Sequence, residues 1–207
     1  MLSILEVIRN FKIDIDDQKI LRLIGYKKRD YEVKAPIQGL IVEEKERLSQ
    51  FLKPEAIYTI IDYAQTNRHP IFQGAAKVAL CVCTIGPRLE QWVKKLMADG
   101  EMMRSLILDA FGSEAVEMVA AQADALLAEK ARKMGLWPSK RFSPGYKKWK
   151  LDEQRFIFDI LPAQDIGVRL HQESWMMTPR KSVSFRLNFY PDKSLTTRKM
   201  TGEGNHD

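Results

Sequence analysis

Two short stretches in the second half of the chain have the composition of a ligand site. Residues 141–146 read RFSPGY, and residues 173–184 read ESWMMTPRKSVS. Pro144 fixes its own φ angle and Gly145 tolerates a positive φ, so a sharp turn is expected here. Such a turn leaves backbone N–H and C=O groups free for a ligand. Arg141 can hold a carboxylate through two parallel hydrogen bonds, and Tyr146 adds a flat face and a hydroxyl.

The segment between the two stretches is predicted to begin as a helix. Acidic side chains at Asp152 and Glu153 favour the first turn of a helix over residues 151–161, and Pro162 ends it. Short strands are expected at 168–170, 174–177 and 183–189 because β-branched and aromatic residues recur there.

The strongest periodicity lies upstream, where apolar residues recur at three- and four-residue steps from Met102 to Met134. We predict one long helix that Gly135 ends. Gly112 in its middle costs about 1 kcal/mol of helix propensity, which a close backbone crossing would offset. The carboxylates of this helix, which we interpret as its solvated side or alternatively as facing a cationic ligand, are Asp109, Glu114 and Glu117.

The first third of the chain is predicted to be a small α+β region. Residues 11–15 alternate like a strand, Asp16 or Asp17 caps a short helix that Gly25 ends, and a second helix runs over 40–52. Further strands are predicted at 56–63 and at 77–84, the second buried and followed by a helix to Met97. The turn at 84–87 either binds an anion at the N-terminus of that helix or simply starts it. We divide the chain into an N-terminal α+β region (1–75), a core with the ligand motif (76–190) and a disordered tail (191–207).

Composition is that of an ordinary globular protein. The 207 residues are 45% hydrophobic and 29% charged, and no apolar run reaches the length of a membrane span. No secretory signal is visible, so a cytoplasmic location is expected. Cys81 and Cys83 are interpreted as reduced core cysteines on one face of a strand, because further ligands for a metal are missing nearby.

The net charge of +6 favours acidic partners. Basic residues cluster at 27–29, 147–150 and 180–181, yet they form neither one helix nor one stripe. Solvated surface, an acidic protein partner and nucleic acid are the three interpretations, and nucleic acid is the least favoured because no motif for it accompanies the charge.

The paired motifs carry a family resemblance. The pattern Arg141-x-x-Pro144-Gly145-Tyr146, then a helix, then Gly-Val-x-Leu-x-x-Glu-Ser-x-x-Met-x-Pro-x-x-Ser-Val-Ser over 167–184 resembles the activation domain of cobalamin-dependent methionine synthase. It is most similar to free-standing proteins related to that domain. The resemblance extends upstream through 84–87 and 108–117, and covers about 20–189.

The resemblance implies an α+β fold with a twisted antiparallel sheet and long helices. It implies that the domain binds S-adenosylmethionine and presents the methyl group to a cobalamin held in trans by a partner methyltransferase module, with a flavodoxin-type electron donor reducing the inactive cofactor. The residues that match the S-adenosylmethionine-binding segment are Arg141, Ser143, Pro144, Gly145 and Tyr146. Those that match the corrinoid-facing segment are Glu173, Ser174, Met176 and Met177. No catalytic base or metal ligand is required.

The chain departs from the family pattern at three places. Lys147 and Lys148 follow Tyr146 where relatives have small or acidic residues, and Leu187 or a neighbour stands where the synthase domain has a tyrosine. The loop Asp-x-His-x-x-Gly that ligates cobalamin is missing, so the chain is not expected to carry the corrinoid itself. The leading hypothesis is a stand-alone reactivation protein for a corrinoid methyltransferase, in particular a methionine synthase that lacks its own activation domain. Its rival is a non-catalytic docking module for a corrinoid protein of another methyl-transfer pathway.

Overall fold

A computed structural model describes residues 4–26, 35–146 and 149–198. Its main sheet has five strands in the order β1-β2-β3-β7-β4, and every neighbouring pair is antiparallel. The predicted α+β class with an antiparallel sheet and a long helix is therefore confirmed. The strands are β1 (Ile4–Ile8), β2 (Glu55–Asp62), β3 (Lys77–Thr84), β4 (Trp137–Pro138), β5 (Arg169–Leu170), β6 (Met177–Thr178) and β7 (Ser182–Tyr190).

Within the described residues, six α-helices pack around the sheet or follow it. They are α1 (Asp17–Leu23), α2 (Ala35–Arg47), α3 (Arg88–Ala98), α4 (Met102–Lys133), α5 (Gln154–Ile160) and α6 (Ser194–Arg198). None of the helices in the described ranges has an apolar stretch of the length that a membrane crossing needs. The helix α6 falls in the predicted tail, whose residues 199–207 lie outside the described part. The division at residue 75 stays a prediction, although strands from both sides of it pair in one sheet.

Alternation along the strands separates two hydrophobic cores. On β3, Ala79, Cys81 and Cys83 face the core that contains α4, whereas Val78, Leu80 and Val82 face the core that contains α5. The two cysteines are buried and form no disulfide. Their Sγ atoms lie 3.7 Å apart, within hydrogen-bond distance for sulfur, and burial raises the pKa of the Cys81 thiol. The central strand is thus covered on both sides, as its continuous apolar sequence predicts.

Two predictions in the N-terminal region are wrong. Residues 11–15 are not a strand, because the first strand is Ile4–Ile8 and the backbone of Lys12 bonds instead to the side chain of Gln122 on α4. Their alternation still holds, with Ile15 buried against α4. The second helix begins at Ala35 rather than after Gly39, since a lone glycine costs a helix only about 1 kcal/mol and does not end it.

Two backbone N–H groups of the turn after β3 form hydrogen bonds within the protein. The N–H of Gly86 donates to Thr84 Oγ1 over 3.1 Å, and the N–H of Ile85 donates to the carbonyl of Lys181. These two N–H groups are bonded inside the protein and are not free for an anion, while the choice between the two interpretations of the helix start stays a prediction.

Gly112 and Gly39 are helical glycines with opposite surroundings, and we expect opposite effects of alanine. A Cβ at Gly112 would lie 2.7 Å from Leu89 Cδ2 and 3.3 Å from Lys181 Cε, whereas a Cβ at Gly39 meets nothing within 4 Å. The close approach predicted at Gly112 is real, but side chains make it rather than a backbone. Leu89 is fully buried, so Gly112→Ala should lower the free energy of unfolding by about 1–2 kcal/mol through overpacking. Gly39→Ala should raise it by about 0.5–1 kcal/mol.

Urea unfolding of the two variants tests this contrast. Adding Leu89→Val to Gly112→Ala should recover part of the loss, because the removed methylene makes room for the new methyl group. Equal stabilisation by both alanines would contradict the packing at Gly112.

Tyr58 should make the protein less stable in alkali. Its hydroxyl donates to Glu6, which also pairs with Lys130 at 3.2 Å. Burial, and then the hydrogen bond and charge of Glu6, raise the pKa of Tyr58 above its ordinary value of 10.0. The unfolded chain therefore loses this proton near pH 10 while the folded chain keeps it. The free energy of unfolding should fall above that pH, by up to about 1.4 kcal/mol per pH unit from this group.

Chemical unfolding of the wild type and Tyr58→Phe between about pH 8 and about pH 11 isolates this contribution. The variant should lose less stability than the wild type over that range. Parallel pH profiles would show that Tyr58 ionises equally in both states.

Candidate functional site

The two motif segments meet at one cavity of about 590 Å³. It opens between the turn at 143–146, the start of α5 and the segment 175–184. Its lining residues are Glu117, Arg141, Phe142, Ser143, Pro144, Tyr146, Leu151, Gln154, Trp175, Met176, Met177, Arg180, Ser182, Val183 and Ser184. The volume lies within the range of about 300–1,000 Å³ that small-molecule sites occupy.

Arg141 is the cation on the α4 side of this cavity. Its Nη2 donates to Glu117 Oε2 over 2.6 Å, and its guanidinium lies 5.5 Å from the centre of the Phe185 ring. Its Nη1 is buried and has no hydrogen-bond partner among the described residues. An unpaired buried donor is costly, so Nη1 would be stabilised by a hydrogen-bond acceptor.

Asp124, on the same helix as Glu117, shares the field of Arg141. Burial raises the pKa of this carboxyl, and the positive charge of Arg141 partly offsets that rise. The charge of Arg141 therefore acts on two carboxylates of α4, through an ion pair with Glu117 and through its electrostatic field at Asp124.

The turn after Arg141 is folded as its Pro-Gly sequence predicts, with Gly145 at φ +87°. The N–H of Gly145 donates to the carbonyl of Trp149 over 2.8 Å, so this N–H is not free for a ligand. Gly145 shapes the turn and does not line the cavity, whereas the backbone N–H and C=O of Ser143 bond to no other described residue. Tyr146 is 68% exposed at the cavity edge.

The buried Arg186 on β7 holds the start of this turn in place. Phe142 and Arg186 exchange backbone hydrogen bonds of 3.1 and 2.8 Å, which fasten the segment to β7. The Arg186 guanidinium lies between 5.2 and 5.4 Å from the rings of Phe72, Phe142 and Trp149, and its Nη1 donates to Asn188 Oδ1. Burial lowers the pKa of this guanidinium. These contacts hold Phe142 in place, and they therefore help to position its sequence neighbours, Arg141 and Ser143.

The second predicted segment contributes only in part. Met176 and Met177 line the cavity, but Glu173 and Ser174 do not. Both lie exposed in a turn, where Ser174 Oγ accepts from the N–H of Met176 over 3.4 Å. The predicted strand 174–177 is also displaced, because β6 is only Met177–Thr178 and pairs with β5.

Gln154 is a buried cavity residue that sequence reasoning missed. Its Nε2 donates to the carbonyl of Trp175 over 2.8 Å, and its Oε1 accepts from Ser184 Oγ over 2.8 Å. The side chain is 4% exposed and so joins α5, β7 and the Trp175 loop inside the site. No sequence signal marks this glutamine. Ser182 and Ser184 were visible as the end of the second motif, and Glu117 as a carboxylate of the long helix.

Leu187 does not take over the role of the missing tyrosine. It is fully buried in the α4 core, on the face of β7 opposite Ser184. Lys147 and Lys148 lie outside the described residues. Within those residues, no group of three or more His, Cys, Asp or Glu side chains is placed to hold a metal ion.

The structure is an α+β domain with a cavity that both polar and apolar side chains line. No known family model and no curated protein sequence matches the chain. Among solved structures, it is similar to the crystal structure of the MetH reactivation domain bound to AdoHcy, with a TM-score of 0.64 and 15% sequence identity. The match covers 91% of this chain and 79% of the other. The chain therefore has the fold of the MetH reactivation domain.

Proposed function

We propose that this chain binds S-adenosylmethionine in the cavity and supports reductive methylation of a cobalamin held by a partner methyltransferase, such as methionine synthase. The observation that carries the proposal is the meeting of both motif segments at one cavity, with Arg141 among its lining residues. The solved structure with the same fold holds AdoHcy, which is the demethylated form of this ligand.

The charges on the cavity wall suit the amino-acid end of the ligand. Arg141 would hold the carboxylate, and Glu117 is the one carboxylate among the described lining residues. In the free protein the two pair with each other. Binding would replace that single pair by two pairs, one for the carboxylate and one for the ammonium group.

The adenosyl end needs hydrogen bonds and an apolar face. The unbonded backbone of Ser143 offers the hydrogen bonds, and Tyr146 and Trp175 offer aromatic surface. Met176 and Met177 would face the corrinoid. Glu173 and Ser174 lie farther out on the same segment, where the docked partner would approach.

The reaction asks little catalytic chemistry of the chain. The reduced cobalt of the partner's cobalamin supplies the nucleophile that takes the methyl group. The protein's own residues align the ligand and exclude water, which needs no general base. A flavodoxin-type donor would supply the electron that the partner needs.

A single-turnover assay tests this function. The chain is mixed with a cobalamin-loaded methionine synthase module, a chemical reductant and S-adenosylmethionine labelled in its methyl group. Label should move to the cobalamin only when this chain is present, and Arg141→Ala should lose the transfer. Transfer at the same rate without the chain would contradict the proposal.

The second candidate is a docking module that binds the corrinoid partner without using the ligand. The observation in its favour is the 2.6 Å pair between Arg141 and Glu117, which already satisfies part of the site. Partner binding that is tight while S-adenosylmethionine neither binds nor transfers its methyl group would favour this candidate.

A further inference from the structure

A second concave surface lies on the other side of residues 180–181. We call it the methionine groove, and its volume is about 500 Å³. It runs between α3 and α4, and its lining residues are Glu90, Val93, Lys94, Met97, Met102, Met103, Ser105, Leu106, Asp109, Arg180 and Lys181.

Large apolar side chains are exposed on the floor of the groove. Met97 is 50% exposed, Met102 58%, Met103 41% and Leu106 45%, and all four lie together. Clustered exposed apolar side chains mark interaction surfaces. Methionine in particular adapts its shape to a partner. A groove between two helices is the usual seat for a third, amphipathic helix.

The rim of the groove carries three cations and two carboxylates, which leaves a small positive excess. Lys181 pairs with Asp109, because its Nζ lies 2.8 Å from Asp109 Oδ1, and its backbone N–H donates to Glu90, which keeps its negative charge. Lys94 and Arg180 remain, and neither has an ion pair with another described residue. A helix that fits this groove should therefore carry acidic residues beside its apolar face.

The groove is continuous with the candidate ligand site. Arg180 lines both the cavity and the groove, and the next residue, Lys181, lines the groove. A partner that brings its cofactor to the mouth of the cavity would extend across Arg180 onto the methionine groove.

We propose that the methionine groove binds an acidic amphipathic helix of the cobalamin-carrying partner. This inference rests on the proposed function, since that function supplies the partner at the cavity mouth. The groove contributes the affinity for the partner, while the cavity binds the small ligand.

The test measures binding of the full chain to a cobalamin-loaded module of methionine synthase. Met97→Lys and Met102→Lys place a charge on the apolar floor, and Lys94→Glu reverses the rim charge. Each should weaken binding by about tenfold or more, as expected for central interface residues. The matched controls are Met134→Lys, an exposed methionine at the far end of α4, and Lys12→Glu, an exposed lysine outside the groove. Both should bind like the wild type.

The affinity for S-adenosylmethionine, measured on the same variants, separates the two proposals. Unchanged ligand binding with lost module binding supports the groove. Module binding that Met97→Lys leaves intact overturns it, and so does a wild type that binds the ligand but not the module. A self-associated chain that Met97→Lys converts to a monomer also overturns it, because the occupant is then a second copy. If the module binds through the groove but S-adenosylmethionine does not bind, the proposed function is wrong and the groove proposal still holds.

Discussion

Arg141→Ala should lower the affinity for S-adenosylmethionine by about 100-fold. Two charge-assisted hydrogen bonds to the ligand carboxylate contribute about 3 kcal/mol together, which corresponds to about two decades in Kd. Arg141 is the cation that both borders the cavity and has a buried unpaired nitrogen. Calorimetric titration of the wild type and the variant measures the loss directly.

Two further variants make this result specific. Arg141→Lys keeps the charge but loses the planar pair of donors, so its affinity should fall between those of wild type and alanine. Glu117→Gln removes the counter-charge of the ligand ammonium and should also weaken binding, by less than Arg141→Ala. An Arg141→Ala variant that binds within about threefold of wild type would mean that the ligand carboxylate lies elsewhere.

Arg104→Ala should lower the free energy of unfolding by about 3 kcal/mol, the largest stability effect that we expect. Arg104 on α4 bonds to Glu43 and Glu44 on α2, and both carboxylates raise its pKa. The Glu44 side chain is only 1% exposed, and its Oε2 already lacks a partner among the described residues. Removing the guanidinium would leave a buried, unpaired charge, which is far more costly than losing a surface pair.

The neighbouring carboxylates provide the controls for urea unfolding. Glu43 is 49% exposed, so Glu43→Gln should change stability by less than about 1 kcal/mol. Adding Glu44→Gln to Arg104→Ala removes the stranded charge and should recover most of the loss. An Arg104→Ala variant as stable as the wild type would show that water reaches Glu44.

The sequence predicts best where a local pattern is also what packing demands. The helix α4 and the strand β3 appear close to their predicted bounds because their apolar periodicity matches the two faces that they bury. The same holds for the turn at Gly145, where the backbone angle follows from the residue type. These features are set by neighbours in the sequence.

Features that depend on distant partners were predicted less well. Residues 11–15 alternate correctly, but whether they join a sheet depends on β1 and on Gln122, more than one hundred residues away. Gln154 enters the site through contacts with Trp175 and Ser184, which no local pattern reveals. The pairing of Arg141 with Glu117 is likewise a contact across α4.

The candidate site follows the same division. Arg141, Ser143, Pro144, Tyr146, Met176 and Met177 line one cavity, and they come from two motifs that are both visible in the sequence. Glu173 and Ser174 belong to the same motif yet do not line the cavity, because they lie in the exposed turn before Trp175, whose φ is +56°. Motif membership alone therefore does not assign a residue to the site.

Calorimetric titration of the wild-type chain with S-adenosylmethionine tests the central claim most directly. We expect saturable binding with one site per chain, and S-adenosylhomocysteine should compete for that site. A folded chain that binds neither compound up to millimolar concentration, alone or with the cobalamin-loaded module, would contradict the account.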